Sequence, residues 1–169
     1  MHRDDEKLTQ KLHDYVEDAH AMETNVLAML DSMIDTTEDA GMRQQLVRHR
    51  GETEEHRDRL ARRLEAMGES PSTRKEAQTQ AAAFFKGFAD QVRGDKAGKN
   101  ARDGYATEHM EIAAYELLER LAVMAGDVET ADVARRNRED EQAMSRAIEA
   151  SWDRALALTL EDDGILSRA

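Results

Sequence analysis

Leu8, Leu12, Tyr15, Ala19, Met22, Val26, Met29 and Met33 recur at alternating spacings of four and three, which puts them on one face of a long helix expected over about residues 4–35. Thr36-Thr37-Glu38-Asp39 then supplies a helix start with an acid three residues behind the capping residue. A second apolar stripe follows through Met42, Leu46, Leu60, Leu64 and Met67, so the next helix is expected over about 37–67, with Gly68 and Pro71 ending it. Two helices of about thirty residues joined by so short a turn are antiparallel neighbours. A second hairpin follows, a helix over about 99–125 closed by Gly126 and another over about 128–160 capped by Asp127.

Between the hairpins, Ala81-Ala82-Ala83-Phe84-Phe85 and Phe88 mark a shorter helix expected over about 73–93. A connection of that length lets the second and third long helices run parallel, and its aromatics are expected to pack across the bundle. The pattern predicts an all-α chain forming a single domain over residues 1–169, a four-helix bundle of two antiparallel hairpins joined by a long crossover containing a short helix. Composition agrees, with 36% charged residues, one proline and an apolar set dominated by helix formers.

Charge and residue usage narrow the function. A formal charge of −12 spread along the chain argues against nucleic acid and anionic membranes as partners. No apolar run has the length of a membrane span and the first ten residues are polar, so a cytoplasmic location is expected. Without cysteine, any metal must be held by carboxylate, imidazole or water.

Each stripe is interrupted near the middle of its helix. His20 and Glu23 break the first; His49, Thr53 and His56, with Glu52 between them, break the second. Glu108 and Glu111 break the third, while the fourth runs Val133, Asn137, Asp140, Glu141, Met144, Ile148, with either Asp140 or Glu141 facing inward. Laying one hairpin on the other sets His20 and Glu23 against Glu108 and Glu111, and His49 and Glu52 against Asn137 and Asp140. Burying several carboxylates together is very costly unless a cation joins them, and iron or manganese suits a carboxylate and imidazole set between facing helices. Glu23, Glu52, Glu108, Glu111, Asp140, Glu141, His20, His49 and His56 are therefore the candidate ligands, the competing reading being ion pairs at the edge of each stripe or hydrogen-bonded interior histidines. Tyr115, one turn beyond Glu111, is read as a buried hydroxyl seeking one partner, His109 as lying beside the site or exposed, and His2 and His13 as solvated.

Asp18-Ala19-His20-Ala21-Met22-Glu23, His49 to Leu60 and, above all, Glu108-His109-Met110-Glu111-Ile112-Ala113-Ala114-Tyr115 resemble the YciE/YciF-type family of small ferritin-like proteins, over about Leu8 to Leu160. The resemblance implies a ferritin-like bundle with a centre for two metal ions, homodimerisation and an association with bacterial stress responses. The order of ligands departs from the usual di-iron pattern of Glu-x-x-His on two helices. Here the second helix carries His49-x-x-Glu52, the fourth has no histidine, and Glu17-x-x-His20 lies on the first. The expected function is a stress-associated di-metal protein that oxidises iron or consumes peroxide. The alternative is a non-catalytic, dimerising helical scaffold with a vestigial site.

Overall fold

A computed structural model describes residues 3–68 and 96–167. Those residues form α1 (Arg3–Thr36), α2 (Ala40–Ala66), α3 (Lys96–Ala125), α4 (Val128–Glu149) and α5 (Trp152–Asp162). The first four form a ring in which α1 touches α2 and α3, and α4 touches α3 and α2. The expected helix over 73–93 lies outside the described residues.

Helix direction follows from contacts at the ends. Asn100 at the start of α3 donates to Thr36 at the end of α1, and Arg63 near the end of α2 is paired with Asp127 just before α4. Thus α1 is antiparallel to both α2 and α3, and α2 runs parallel to α3, the arrangement that a single long crossover produces. This is the ferritin-like bundle that the sequence pattern predicts.

The turns are fixed by local chemistry. Asp39, rather than either preceding threonine, caps α2 by accepting the Met42 N–H at 3.0 Å, and Arg154 of α5 holds its other oxygen at 2.9 Å. At the second turn, Gly126 N–H donates to the Val123 carbonyl and Asp127 N–H to that of Ala122, a helix stop requiring the left-handed backbone that Gly126 adopts at φ 74°. Asp127 then caps α4 through the Thr130 N–H at 2.9 Å.

The helix expected over 128–160 is broken. Both the N–H and the hydroxyl of Ser151 donate to the Ile148 carbonyl, at 2.8 and 2.7 Å, which tightens the last turn of α4. The chain then changes course into α5, which buries Ala155 and sets Trp152 edge-on to Tyr105 of α3.

The apolar core comes in separate parts. Leu12, Val16, Ala19, Met22, Leu60, Leu64, Tyr115, Leu118, Ala122, Ala131 and Ala134 fill one half of the bundle. Towards the other end lie Val26 and Leu30, and a cluster of Ala101, Met144, Ile148 and Ala155, both packed against Leu46. On every long helix the inward positions between these apolar stretches carry buried polar residues, so a polar layer crosses the middle of the bundle.

Candidate metal centre

Successive turns of α2 bring His49, Thr53 and His56 onto its inward face, and all three are fully buried. Glu23 reaches them from α1, Glu108 and Glu111 from α3 and Glu141 from α4, none more than 1% exposed. His49 Nε2 lies 3.3 Å from both Glu108 Oε1 and Glu141 Oε2. His56 Nδ1 lies 2.8 Å from Glu141 Oε1 and 3.5 Å from Glu23 Oε1. Ligand-type atoms thus gather in two groups, each within 4.8 Å, one of His49, Glu108, Glu111 and Glu141, the other of Glu23, His56 and Glu141. Glu141 belongs to both and turns one oxygen to each histidine.

Behind each imidazole stands a further carboxylate. His49 Nδ1 is 3.1 Å from Glu52 Oε2, and His56 Nε2 is 3.0 Å from Asp140 Oδ2. Only these outward contacts have hydrogen-bond geometry, and a carboxylate only accepts, so a neutral ring would carry its hydrogen on Nδ1 of His49 and on Nε2 of His56. The inward lone pairs are then on opposite ring nitrogens, Nε2 of His49 and Nδ1 of His56, each aimed among the buried carboxylates.

Burial and mutual charge shift the protonation of this set. Burial, together with the charges of Glu141, Glu23 and Glu108, raises the Glu111 carboxyl well above its ordinary value. Burial likewise raises Glu141, opposed by its contact with His56, to about 8. Burial works to lower the imidazoles, but Glu141 and Glu23 lift His56 to about 10 and Glu108 lifts His49 well above the usual range. Despite the short distances, Glu23 Oε2, His49 Nε2, His56 Nδ1, Glu108 Oε2 and both oxygens of Glu111 and Glu141 are buried without an aligned hydrogen-bond partner. Buried polar atoms are normally satisfied. Atoms left over in such number, all of ligand type and aimed at one place, are what hard or borderline divalent cations require, so the residues present fit a metal centre.

Six of the nine candidate ligands therefore come together: Glu23, His49, His56, Glu108, Glu111 and Glu141. Glu52 and Asp140 are turned outward as the partners of the histidines, their side chains 37% and 40% exposed. Asp140 and Glu141 are adjacent and so point about 100° apart on a helix of 3.6 residues per turn, which leaves only Glu141 inside. His20 belongs to neither group; it is half-buried at the edge of the α1 stripe, where burial and Arg57 lower its pKa. The hairpin overlay sets it against Glu108, but of the two only Glu108 is among the gathered ligands.

His13, expected in solvent, is instead only 6% exposed and forms a third group, apart from these two, with Asp14 and Glu17 on α1. His2 lies outside the described residues. His109 is exposed, with Nδ1 2.9 Å from the Tyr105 carbonyl. Tyr115 is wholly buried, edge-on to His56 at 6.3 Å, and donates its hydroxyl proton to Glu23 Oε1. Arg59, which the stripe pattern does not single out, holds Asn137, and Asn137 holds Tyr115. Its only sequence signal is a cation one turn beyond His56.

A four-helix bundle with one crossover, whose facing helices send buried glutamates and histidines into a shared mid-bundle layer, defines the ferritin-like class. Within that class, a family model described as a domain of unknown function (DUF892) matches residues 7–160, and the chain belongs to this family. Among solved structures, a protein of Xanthomonas campestris is similar at 24% identity and a TM-score of 0.76, covering 94% of this chain and 99% of that one. The Escherichia coli stress protein YciF is similar at 16% identity and 0.73, covering 93% and 97%. The bacterioferritin of Desulfovibrio desulfuricans, described with a diiron site, is similar at 20% identity and 0.73, covering 97% and 91%. At these identities the likeness is one of fold.

Proposed function

We propose that this protein binds two iron or manganese ions in the mid-bundle layer and uses them in a stress-associated reaction, the oxidation of iron or the consumption of peroxide. The observation that carries the reading is the pair of buried ligand groups joined through Glu141. His49, Glu108 and Glu111 would hold one ion, Glu23 and His56 the other, and Glu141 both. Bound iron or manganese would supply one-electron redox chemistry at this place.

The chain's own residues prepare the centre. Glu52 and Asp140 fix the tautomer and orientation of the histidines, keeping their inward nitrogens unprotonated when a cation displaces the proton. The apolar clusters above and below the layer keep water out, which strengthens every charge interaction within it. The fold relatives support a bacterial stress setting, since one of them is described as a stress protein. A homodimer in the cytoplasm completes the proposal.

The direct test is iron(II) oxidation by peroxide in the presence of the purified protein, against a Glu23→Gln/Glu111→Gln variant. The reading expects oxidation faster than in protein-free buffer and lost in the variant. Equal rates in protein, variant and buffer would remove the redox function.

A scaffold with a vestigial site is the second reading. It is favoured by the raised pKa values of Glu111, Glu141, His49 and His56, because protons held in the layer offset its buried negative charge in place of metal. That protein would stay folded and take up no ion.

A further inference from the structure

Three side chains link the rim of the bundle to one carboxylate of the centre. Arg59 Nη1 donates to Asn137 Oδ1 at 2.9 Å, Asn137 Nδ2 donates to the Tyr115 hydroxyl at 3.0 Å, and that hydroxyl donates to Glu23 Oε1. The direction of the whole string is set by its outer end. A guanidinium only donates, so Asn137 must present its carbonyl oxygen to Arg59 and its amide to Tyr115. The phenol oxygen then accepts, and its single hydrogen is left for Glu23. Asn137 and Tyr115 are completely buried, so neither has water as an alternative partner.

The consequence falls on one ligand group only. Glu23 Oε1 is occupied by the phenol, and Oε2 is its one buried oxygen without a partner. On the other side, Glu111 has both oxygens unengaged and Glu108 has Oε2. The His49 side therefore brings four residues, with both Glu111 oxygens unengaged, and the His56 side three, with one Glu23 oxygen already accepting from the phenol. We infer that Tyr115, aligned by Asn137 and Arg59, is a positioning residue that holds Glu23 in a single orientation and makes the two metal positions unequal, the His49 position filling first. This rests on reading the layer as a metal centre.

Manganese(II) titration of the chelator-stripped, full-length protein tests it, with free ion followed by electron paramagnetic resonance. The wild type should fill in two separable steps. Tyr115→Phe should weaken the second step about 10–100-fold, the usual cost of losing a residue that orients a ligand, and leave the first unchanged. Asn137→Ser, which removes the amide that aligns the phenol and leaves the Arg59 contact with Asp140 in place, should weaken the same step by less, and it carries the test if Tyr115→Phe does not fold. Glu108→Gln should act on the first step instead. A merely structural role for Tyr115 would shift both steps together, and that result, or two equal steps in the wild type, would overturn the inference while leaving the metal reading intact. No manganese uptake by the wild type, with iron(II) also failing to bind, would overturn the metal reading and the inference with it.

Discussion

Glu141 is the residue on which the centre turns, because it alone belongs to both ligand groups. Glu141→Gln should abolish uptake of both ions, whereas Glu23→Gln should spare the ion on the His49 side; equilibrium dialysis against manganese(II) separates the two outcomes. In the metal-free protein the same Glu141→Gln change removes the counter-charge nearest His56, so thermal stability should fall at pH values where that imidazole is protonated. The acid–base chemistry carries a definite sign. Glu111, Glu141, His49 and His56 all hold their protons more tightly folded than unfolded. Their contribution is fully present below the unfolded values, near 4.5 for the carboxyls and 6.5 for the imidazoles, and is lost as pH rises through the folded values, about 8 for Glu141 and about 10 for His56. Metal-free protein should therefore melt lower at pH 9 than at pH 6. Bound metal displaces those protons, so the stabilisation it gives should grow over the same interval; calorimetry with and without manganese(II) reads both.

At the scale of the helices, the hairpin turns and caps carry much of what is legible in the sequence. Gly126 and Asp127 mark the second turn correctly because a left-handed stop and a carboxylate cap each demand a particular residue. Gly126→Ala should cost about 1 kcal/mol, since φ 74° strains any residue with a Cβ. Asp127→Ala should cost about the same through the lost cap, measured by denaturant titration. The Asp127 carboxyl is held below its ordinary range: burial works against this, but Thr130 and Arg63 outweigh it. Its stabilisation is thus present above the unfolded value and lost as pH falls through the folded one. The break at Ser151 escapes sequence reading because no glycine or proline marks it; a serine hydroxyl turned back on Ile148 does the work instead. Likewise, the choice between Asp140 and Glu141 cannot be read from spacing alone. Adjacent polar residues both interrupt a stripe, and only the rotation of α4 against α2 decides which one is buried.

At the scale of the molecule, the stripes and the polar interruptions in them were enough to give the bundle and the height of its polar layer. What they did not give is the pairing across it. Sequence symmetry equates His20 with Glu108, yet His20 stands at the rim and both histidines of the centre come from α2, seven residues apart. Packing of four helices, not the pattern on any one, decides which interruptions meet. The same limit applies to His13, whose burial depends on neighbours that its own helix does not reveal. No described helix is long and apolar enough to cross a membrane. Exposed Leu117, Met124 and Val128 leave an apolar surface on α3 and at the start of α4. The proposed homodimer predicts a mass of two chains in light scattering, and a single-chain mass at micromolar concentration would contradict it.

Metal content per chain is the most direct measure of the central claim, taken by elemental analysis on protein produced with iron and manganese supplied and purified without chelators. The account predicts about two equivalents of iron or manganese in the wild type, as ferritin-like carboxylate centres hold, and essentially none in Glu141→Gln. A folded wild-type protein that emerges without metal and takes up neither ion on reconstitution would contradict it, and would leave protons, not metal, as what closes the polar layer.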